Sequence, residues 1–314
     1  MKKFDVTTLG EILIDMTYAG KSENGQTLFE QNPGGAPANV LSAVTALGGS
    51  TAFIGKVGKD MHGAFLKKTL KEHNINYDNL IETDEAFTTL AFVSLSEDGE
   101  RTFSFARKPG ADTLISKDEI NYEIIKDSRI FHTGSLSLTD EPSKEATLEA
   151  LKFAKENDII ISYDPNYRAL LWENTECAVN GMRLPLSFVD IIKISEEETE
   201  LLTDEKNPDR AIDRLIDSGI KCVIVTLGKD GALIGTKNDR VKIDAAPCKR
   251  VVDTTGAGDS FMGAFLYKMS NANLRPDELT KAHLAEFGEF AGKVAAYCIG
   301  KRGAIDAMPK LSEI

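Results

Sequence analysis

The 314 residues (34.3 kDa) include 42% hydrophobic, 27% charged and 7% aromatic side chains, which allows a sizeable buried core and excludes wholesale disorder. Against 49 acids stand 37 lysines and arginines, and the formal charge of −12 excludes a general nucleic-acid binder, since no basic stripe exists to displace counterions from a phosphate backbone. That balance favours a small substrate met through local positive potential.

In chain order, residues 4–15 are rich in Val, Ile and Thr and predict a strand closed by Asp15. A polar stretch with Gly20 and Gly25 leads to Asn32-Pro33-Gly34-Gly35 and then a helix in which Val40, Leu41, Val44 and Leu47 share a face, stopped by Gly48-Gly49. A short strand over 51–54 and a helix over 61–73 follow. Residues 88–95 and 101–105 predict a β-hairpin around the polar loop 96–100. Beyond it strands alternate with helices: strands at 130–132, 159–163, 191–194 and 222–226, helices at 144–156, 196–202 and 209–217. This alternation predicts a mostly parallel sheet with helices on both faces. A second hairpin (232–235 with 241–243), a strand at 250–252 and helices near 259–269 and 276–298 complete the chain. No repeat or linker interrupts it, so residues 1–314 read as one α/β domain with a small β excursion from segments near 15–33 and 88–107.

Cys177, Cys222, Cys248 and Cys298 form no CxxC and the four histidines no HxxxH, so neither a zinc site nor a disulfide framework is expected. No run approaches the ~18 apolar residues of a membrane span. Asp5, Glu11 and Asp15 interrupt any apolar leader. A soluble, cytoplasmic protein is the expectation.

The sharpest chemical feature is Asp253-Thr254-Thr255-Gly256-Ala257-Gly258-Asp259-Ser260-Phe261, between an apolar strand and an apolar helix. Gly256 and Gly258 permit a tight turn that presents amide N–H groups at a helix N-terminus, where a negative group is favoured. An acid there opposes a bound phosphate, unless Asp259 takes the proton of a hydroxyl attacking that phosphate. The alternative is a glycine turn with Asp259 an ordinary first-turn acid. Neither GxxxxGK[ST] nor GxGxxG is present: Asp15 stands where the first P-loop glycine of a Gly20-Lys21-Ser22 motif belongs, and Phe261 ends the other pattern.

In Pro33-Gly34-Gly35-Ala36-Pro37-Ala38-Asn39, two glycines allow close backbone approach and Asn39 offers donor and acceptor to a sugar, or simply caps a helix. Asp15, at a strand's carboxyl end, can accept two hydroxyls. Strand alternation puts Phe103, Phe105 and Arg107 on one face, lining a pocket or ending in a surface salt bridge. Arg168, in Asp164-Pro165-Asn166-Tyr167-Arg168, can reach a phosphate or a hydroxyl. Glu196-Glu197-Glu198 with Glu200 reads as a solvated helix face, or supplies an acid for the magnesium of ATP. Thr226-Leu227-Gly228-Lys229-Asp230-Gly231 reads as a strand–turn–strand that also suits backbone contact with a nucleotide.

Together these stretches resemble the ribokinase/PfkB carbohydrate-kinase family over essentially the whole chain. Residues 34–58 match its N-terminal motif and residues 253–261 its C-terminal one. Within the family, the stretches 10–15, 131–136, 163–168 with Leu171-Trp172, and 193–198 are most similar to bacterial fructokinases. The resemblance implies a Rossmann-like three-layer α/β/α fold of ribokinase type, with a mostly parallel central sheet and a small β-sheet lid, that phosphorylates a sugar hydroxyl, D-fructose first, from ATP. It makes Asp259 the base, aided by Arg168, with Gly256, Ala257 and Gly258 as anion hole. It assigns Asp15, Gly34, Gly35, Asn39, Arg107 and Arg168 to the sugar. Lys193, Ser195, Thr226, Gly228 and Gly231, with Ala257 and Gly258, go to the nucleotide. It implies Mg2+ at Glu198, K+ near Asp253, Thr255 and the loop after Cys298, and a homodimer through the lid. Two departures stand out: Ser195 occupies the Asn of the family's Asn-x-x-Glu, and Ala106 the place of an aromatic found in many fructokinase-like chains. The competing expectations are a 2-keto-3-deoxygluconate kinase, whose arginines meet a carboxylate, and a catalytically idle sugar sensor.

Overall fold

The computed structural model describes residues 2–95 and 101–314. The loop 96–100 expected in the first hairpin and the Phe103 side chain lie outside the described residues. The strands are β1 (Phe4–Leu9), β2 (Leu13–Lys21), β3 (Thr27–Gly34), β4 (Thr51–Gly58), β5 (Asn76–Thr83), β6 (Leu90–Leu95), β7 (Arg101–Ala106), β8 (Ser128–Gly134), β9 (Ile160–Asp164), β10 (Ile191–Ser195), β11 (Cys222–Thr226), β12 (Ala232–Thr236) and β13 (Arg240–Ile243). The helices are α1 (Ala36–Ala46), α2 (Met61–Glu72), α3 (Tyr122–Lys126), α4 (Ser143–Glu156), α5 (Thr175–Arg183), α6 (Glu196–Thr203), α7 (Pro208–Asp217), α8 (Ala257–Asn271) and α9 (Lys281–Cys298).

One sheet has nine strands in the order β13-β12-β11-β10-β9-β8-β1-β4-β5. Pairing is parallel from β11 to β5 and antiparallel for β12 and β13. Successive residues of its strands feed opposite cores. Cys222 and Ile224 pack into the core shared with α1, α8 and α9, while Val223 and Val225 pack into the one shared with α4, α5 and α7. All four are fully buried, which is why such strands read as unbroken apolar runs without alternation. The architecture is therefore the expected three-layer α/β/α.

The second sheet has four strands, β3-β2-β6-β7, two antiparallel hairpins joined by parallel pairing of β2 and β6. It corrects the predicted strand over 4–15. Gly10, Glu11 and Ile12 carry the chain from the large sheet to the small one, so Asp15 belongs to β2 and faces Asn32 of β3. A Cβ on Gly10 would press on the Pro37 ring at 2.6 Å, so a glycine is required where β1 runs into the start of α1. Residues 250–252 form no strand. Val251 and Val252 are exposed, and the Val252 and Asp253 amides donate to the Ile299 carbonyl instead of a neighbouring strand. Three of these elements went unpredicted: β5, an edge strand on β4; the short α3; and α5, whose Gly181 sits against the Trp172 ring.

Candidate active site

The large-sheet strands diverge in sequence order on either side of the β1–β8 pair, and a cleft of about 520 Å³ opens at that point, under the small sheet. Open α/β sheets bind ligands in this crevice because carboxyl-end loops separate there. The cleft brings together Asp15, Gly35, Asn39, Arg168, Lys193, Asp253, Thr255, Gly256, Ala257, Gly258 and Asp259 from five separate parts of the chain.

At its centre, Asp259 occupies the first turn of α8. Gly256, with φ 76°, caps the helix, and a Cβ there would stand 2.7 Å from the Ala304 Cβ, so only glycine fits. Asp259 is buried, and its Oδ2 accepts from Asn39 Nδ2 at 2.8 Å. Asn166 Nδ2 lies 3.5 Å from the other oxygen. Burial pushes the Asp259 carboxyl up to about 6. The nearby Asp164 charge adds to this, while the Asn39 hydrogen bond, Lys193 and Arg168 oppose it. A carboxylate so placed suits proton acceptance near neutrality.

Beneath α8, the buried Lys193 ammonium lies 2.8 Å from Asp164 Oδ2 and 3.2 Å from where a Gly258 side chain would begin. Burial works against this ammonium, but Asp164, Glu198 and Asp259 outweigh it and hold its pKa above the ordinary lysine value. The first turn of α8 thus combines helix-terminal amides with a cation, a setting for negative charge. The Ala257 N–H is partly engaged, 3.3 Å from the Thr254 carbonyl.

The sugar-side expectations divide. Asn39 Oδ1 is buried without a partner, leaving an acceptor in the cleft. Asp15 is pushed up to about 7, chiefly by burial, with Arg168 opposing and Asp253 and Asp259 adding to the rise. Gly34 does not line the cleft but sits directly against the Asp15 carboxylate, where any side chain would collide. Arg107 is not brought to the site. It lies past the end of β7, buried, with its guanidinium on Asp112 (2.7 Å), Thr139 (2.8 Å) and the Leu136 carbonyl (2.8 Å). Strand alternation misplaced it because the strand stops one residue earlier. Phe105 does line the cleft.

Ser195 and Thr226 pair in register at the carboxyl ends of β10 and β11, with Gly228 (φ 57°) in the following turn. Gly231 (φ 90°) packs against the backbone after β13, so the hairpin itself requires glycine there. These four, like Glu198, lie outside the cleft lining. Glu198 is buried, not solvated: Oε1 accepts the Tyr167 N–H at 2.6 Å and Oε2 the Ser195 N–H at 2.7 Å. It caps α6 and fastens the loop that carries Arg168. Burial, reinforced by Asp164, raises its pKa. Asp164 Oδ1 is buried without a hydrogen-bond partner, so Asp164 and Glu198 are a pair of hard oxygen donors that fits a divalent cation held mainly by phosphates and water. Asp253 accepts the Thr255 amide (2.9 Å) and hydroxyl (2.7 Å) on one oxygen and the Gly303 amide (3.2 Å) on the other. Oxygens of this kind also suit a monovalent cation.

Sequence reasoning missed Glu11, Asn166 and Arg302, all of which line the cleft. Asn166 sits inside a stretch already singled out for Arg168. Glu11 carries no such signal, because the predicted strand runs through it to Asp15 and only the structure ends β1 at Leu9.

Residues 3–311 match the family described as pfkB family carbohydrate kinase. The chain is 42% identical over 307 residues to "Probable fructokinase-5" of Arabidopsis thaliana, covering 97% of this chain and 94% of that one. Among solved structures it is similar to a fructokinase with bound ATP from Xylella fastidiosa (34% identity, TM-score 0.90, 98% and 96% coverage). It is also similar to a fructokinase from Vibrio cholerae O395 in a fructose-, ADP- and calcium-bound form (31% identity, TM-score 0.89, 99% and 98% coverage).

Proposed function

The chain belongs to the pfkB carbohydrate kinase family, and we propose that it transfers the γ-phosphoryl group of ATP to the 6-hydroxyl of D-fructose. It is an ATP:sugar phosphotransferase. The observation that carries the reading is the buried Asp259 carboxylate, with a pKa near 6, set by Asn39 inside the amide-lined first turn of α8.

In this reading Asp15, Gly35 and Asn39 hold the sugar, with Gly34 keeping the Asp15 carboxylate in place. Asp259 receives the hydroxyl proton as that oxygen bonds to the γ-phosphorus and the bond to ADP breaks. Gly256, Ala257 and Gly258 meet the charge on the transferred group, helped by the helix dipole, Lys193 and Arg168. Ser195, Thr226, Gly228 and Gly231 flank the nucleotide. The small sheet acts as the lid, and its closure excludes the water that would otherwise hydrolyse ATP. Magnesium, when bound, neutralises phosphate charge; Asp164 and Glu198 would hold it through water. Asp253 and Thr255 would hold potassium. A dimer through the exposed β3 edge, where Leu28 and Phe29 are exposed, and a cytoplasmic location belong to the same reading. Among the described residues, no helix is long and apolar enough to cross a membrane.

A coupled ADP-release assay with magnesium and potassium, run on fructose, 2-keto-3-deoxygluconate, ribose and adenosine, tests this. Fructose is expected to be preferred. Preference for the keto-acid would keep Asp259 as base but make Arg168, the one of the two expected arginines that lines the cleft, a carboxylate partner. No ADP release with any of the four would favour the sensor.

A further inference from the structure

We propose that Glu11 is a sugar-specificity residue whose Oε2 accepts a hydrogen bond from a ketose hydroxyl other than the one phosphorylated. The inference rests on the sugar-kinase reading above. Glu11 lies on the short passage between β1 and β2, at the β1–β8 switch point, and lines the same cleft as Asp15 and Asn39. It is only 3% exposed. Its Oε1 accepts the Ala36 N–H at 3.0 Å, supplying the α1 cap that Gly35 has no side chain to provide. Its Oε2 is buried with no partner.

A buried carboxylate oxygen without a donor is costly, and capping a helix does not require it, because a glutamine amide oxygen would serve Ala36 equally well. The neighbours do not complete it: the Glu11 backbone amide and the Ala36 N–H favour the carboxylate, yet among the described residues no donor within hydrogen-bond geometry sits on Oε2. Arg107 is close enough to act on Glu11 electrostatically, but its guanidinium donors go to Asp112, Thr139 and Leu136. Asp112 disfavours the Glu11 charge, and burial pushes its pKa up to about 7. The missing donor therefore has to come from the cleft. Asn39 Oδ1 is a second unpartnered acceptor there, so two acceptors await a polyhydroxyl ligand.

The test compares wild type and Glu11→Gln on fructose and on fructose analogues each lacking one hydroxyl. Wild type is expected to lose at least about tenfold in kcat/KM on one analogue with its 6-hydroxyl intact. Glu11→Gln should lose a similar factor on fructose, show no further loss on that same analogue, and keep the KM for ATP. Coupling confined to one hydroxyl is a signature that helix capping alone does not give. Three results would overturn the inference alone, with wild-type fructose turnover intact. One is a Glu11→Gln enzyme as active on fructose as wild type; another is a loss equal across all analogues. The third is a variant that fails to fold, since the amide keeps an acceptor for Ala36 and replaces only the second oxygen, the one assigned to the sugar. Absence of wild-type fructose turnover overturns the fructokinase reading itself, and the inference with it.

Discussion

Arg107 and Arg168 carry the same charge and end in opposite circumstances. The Arg107 guanidinium is buried and saturated by Asp112, Thr139 and Leu136, whereas Arg168 is exposed at the cleft, donating to the Tyr167 carbonyl at 2.9 Å. Arg107→Ala strands Asp112 in the interior and should cost about 3–5 kcal/mol in urea unfolding. Arg168→Ala should leave unfolding within about 0.5 kcal/mol while lowering kcat/KM for the sugar at least about tenfold. Equal effects on stability from both would contradict the assignment. The carboxylates set a pH dependence of defined sign. Asp259 and Asp15 are raised to about 6 and about 7, and both act in ionised form, so kcat/KM should climb through that window and level above it. A profile flat from pH 5 upward would place the base elsewhere.

At the scale of elements, the N-terminus of α8 separates conformational from electrostatic demands within three residues. Gly256→Ala meets both a positive φ and the Ala304 Cβ, and should destabilise the fold by about 1–3 kcal/mol. Gly258 lies inside the helix, and a methyl there meets only the Lys193 ammonium at 3.2 Å, so Gly258→Ala should spare thermal stability and lower turnover. Equal losses of melting temperature would refute this division. The helix in this region was legible because the glycines mark its start and an apolar run follows them. The break between β1 and β2 was not, because residues on both sides of it are β-favouring and buried, and only Gly10 marks where the chain changes sheets. The false strand at 250–252 is the converse: an apolar pair with the right composition and no neighbouring strand to pair with.

For the molecule as a whole, the alternation of strands and helices made the three layers readable, and the two glycine motifs located both walls of the cleft. What stayed hidden depends on topology. The strand order places the end of β1 beside α1, the 164–168 loop and the loop before α8, and nothing local to Glu11 or Asn166 announces that meeting. Burial of several acids in one cleft also shapes stability. Glu11, Asp15 and Asp259 have raised pKa values in the folded chain, so between about pH 4 and 7 it holds protons that the unfolded chain has released. Their contribution to stability is complete at acid pH and is lost as pH rises. Asp15→Asn, neutral throughout, should therefore melt higher than wild type at pH 8, with the advantage shrinking towards pH 4. An advantage that grew at low pH would reverse the sign of the argument.

The central claim is that Asp259 accepts the proton of the attacking hydroxyl, and Asp259→Asn tests it most directly. ATP binding by calorimetry and ADP release with fructose would be measured on the same preparation. ATP affinity should stay close to wild type while turnover falls by about 10²–10⁴. Near-normal turnover with intact ATP binding would contradict the account.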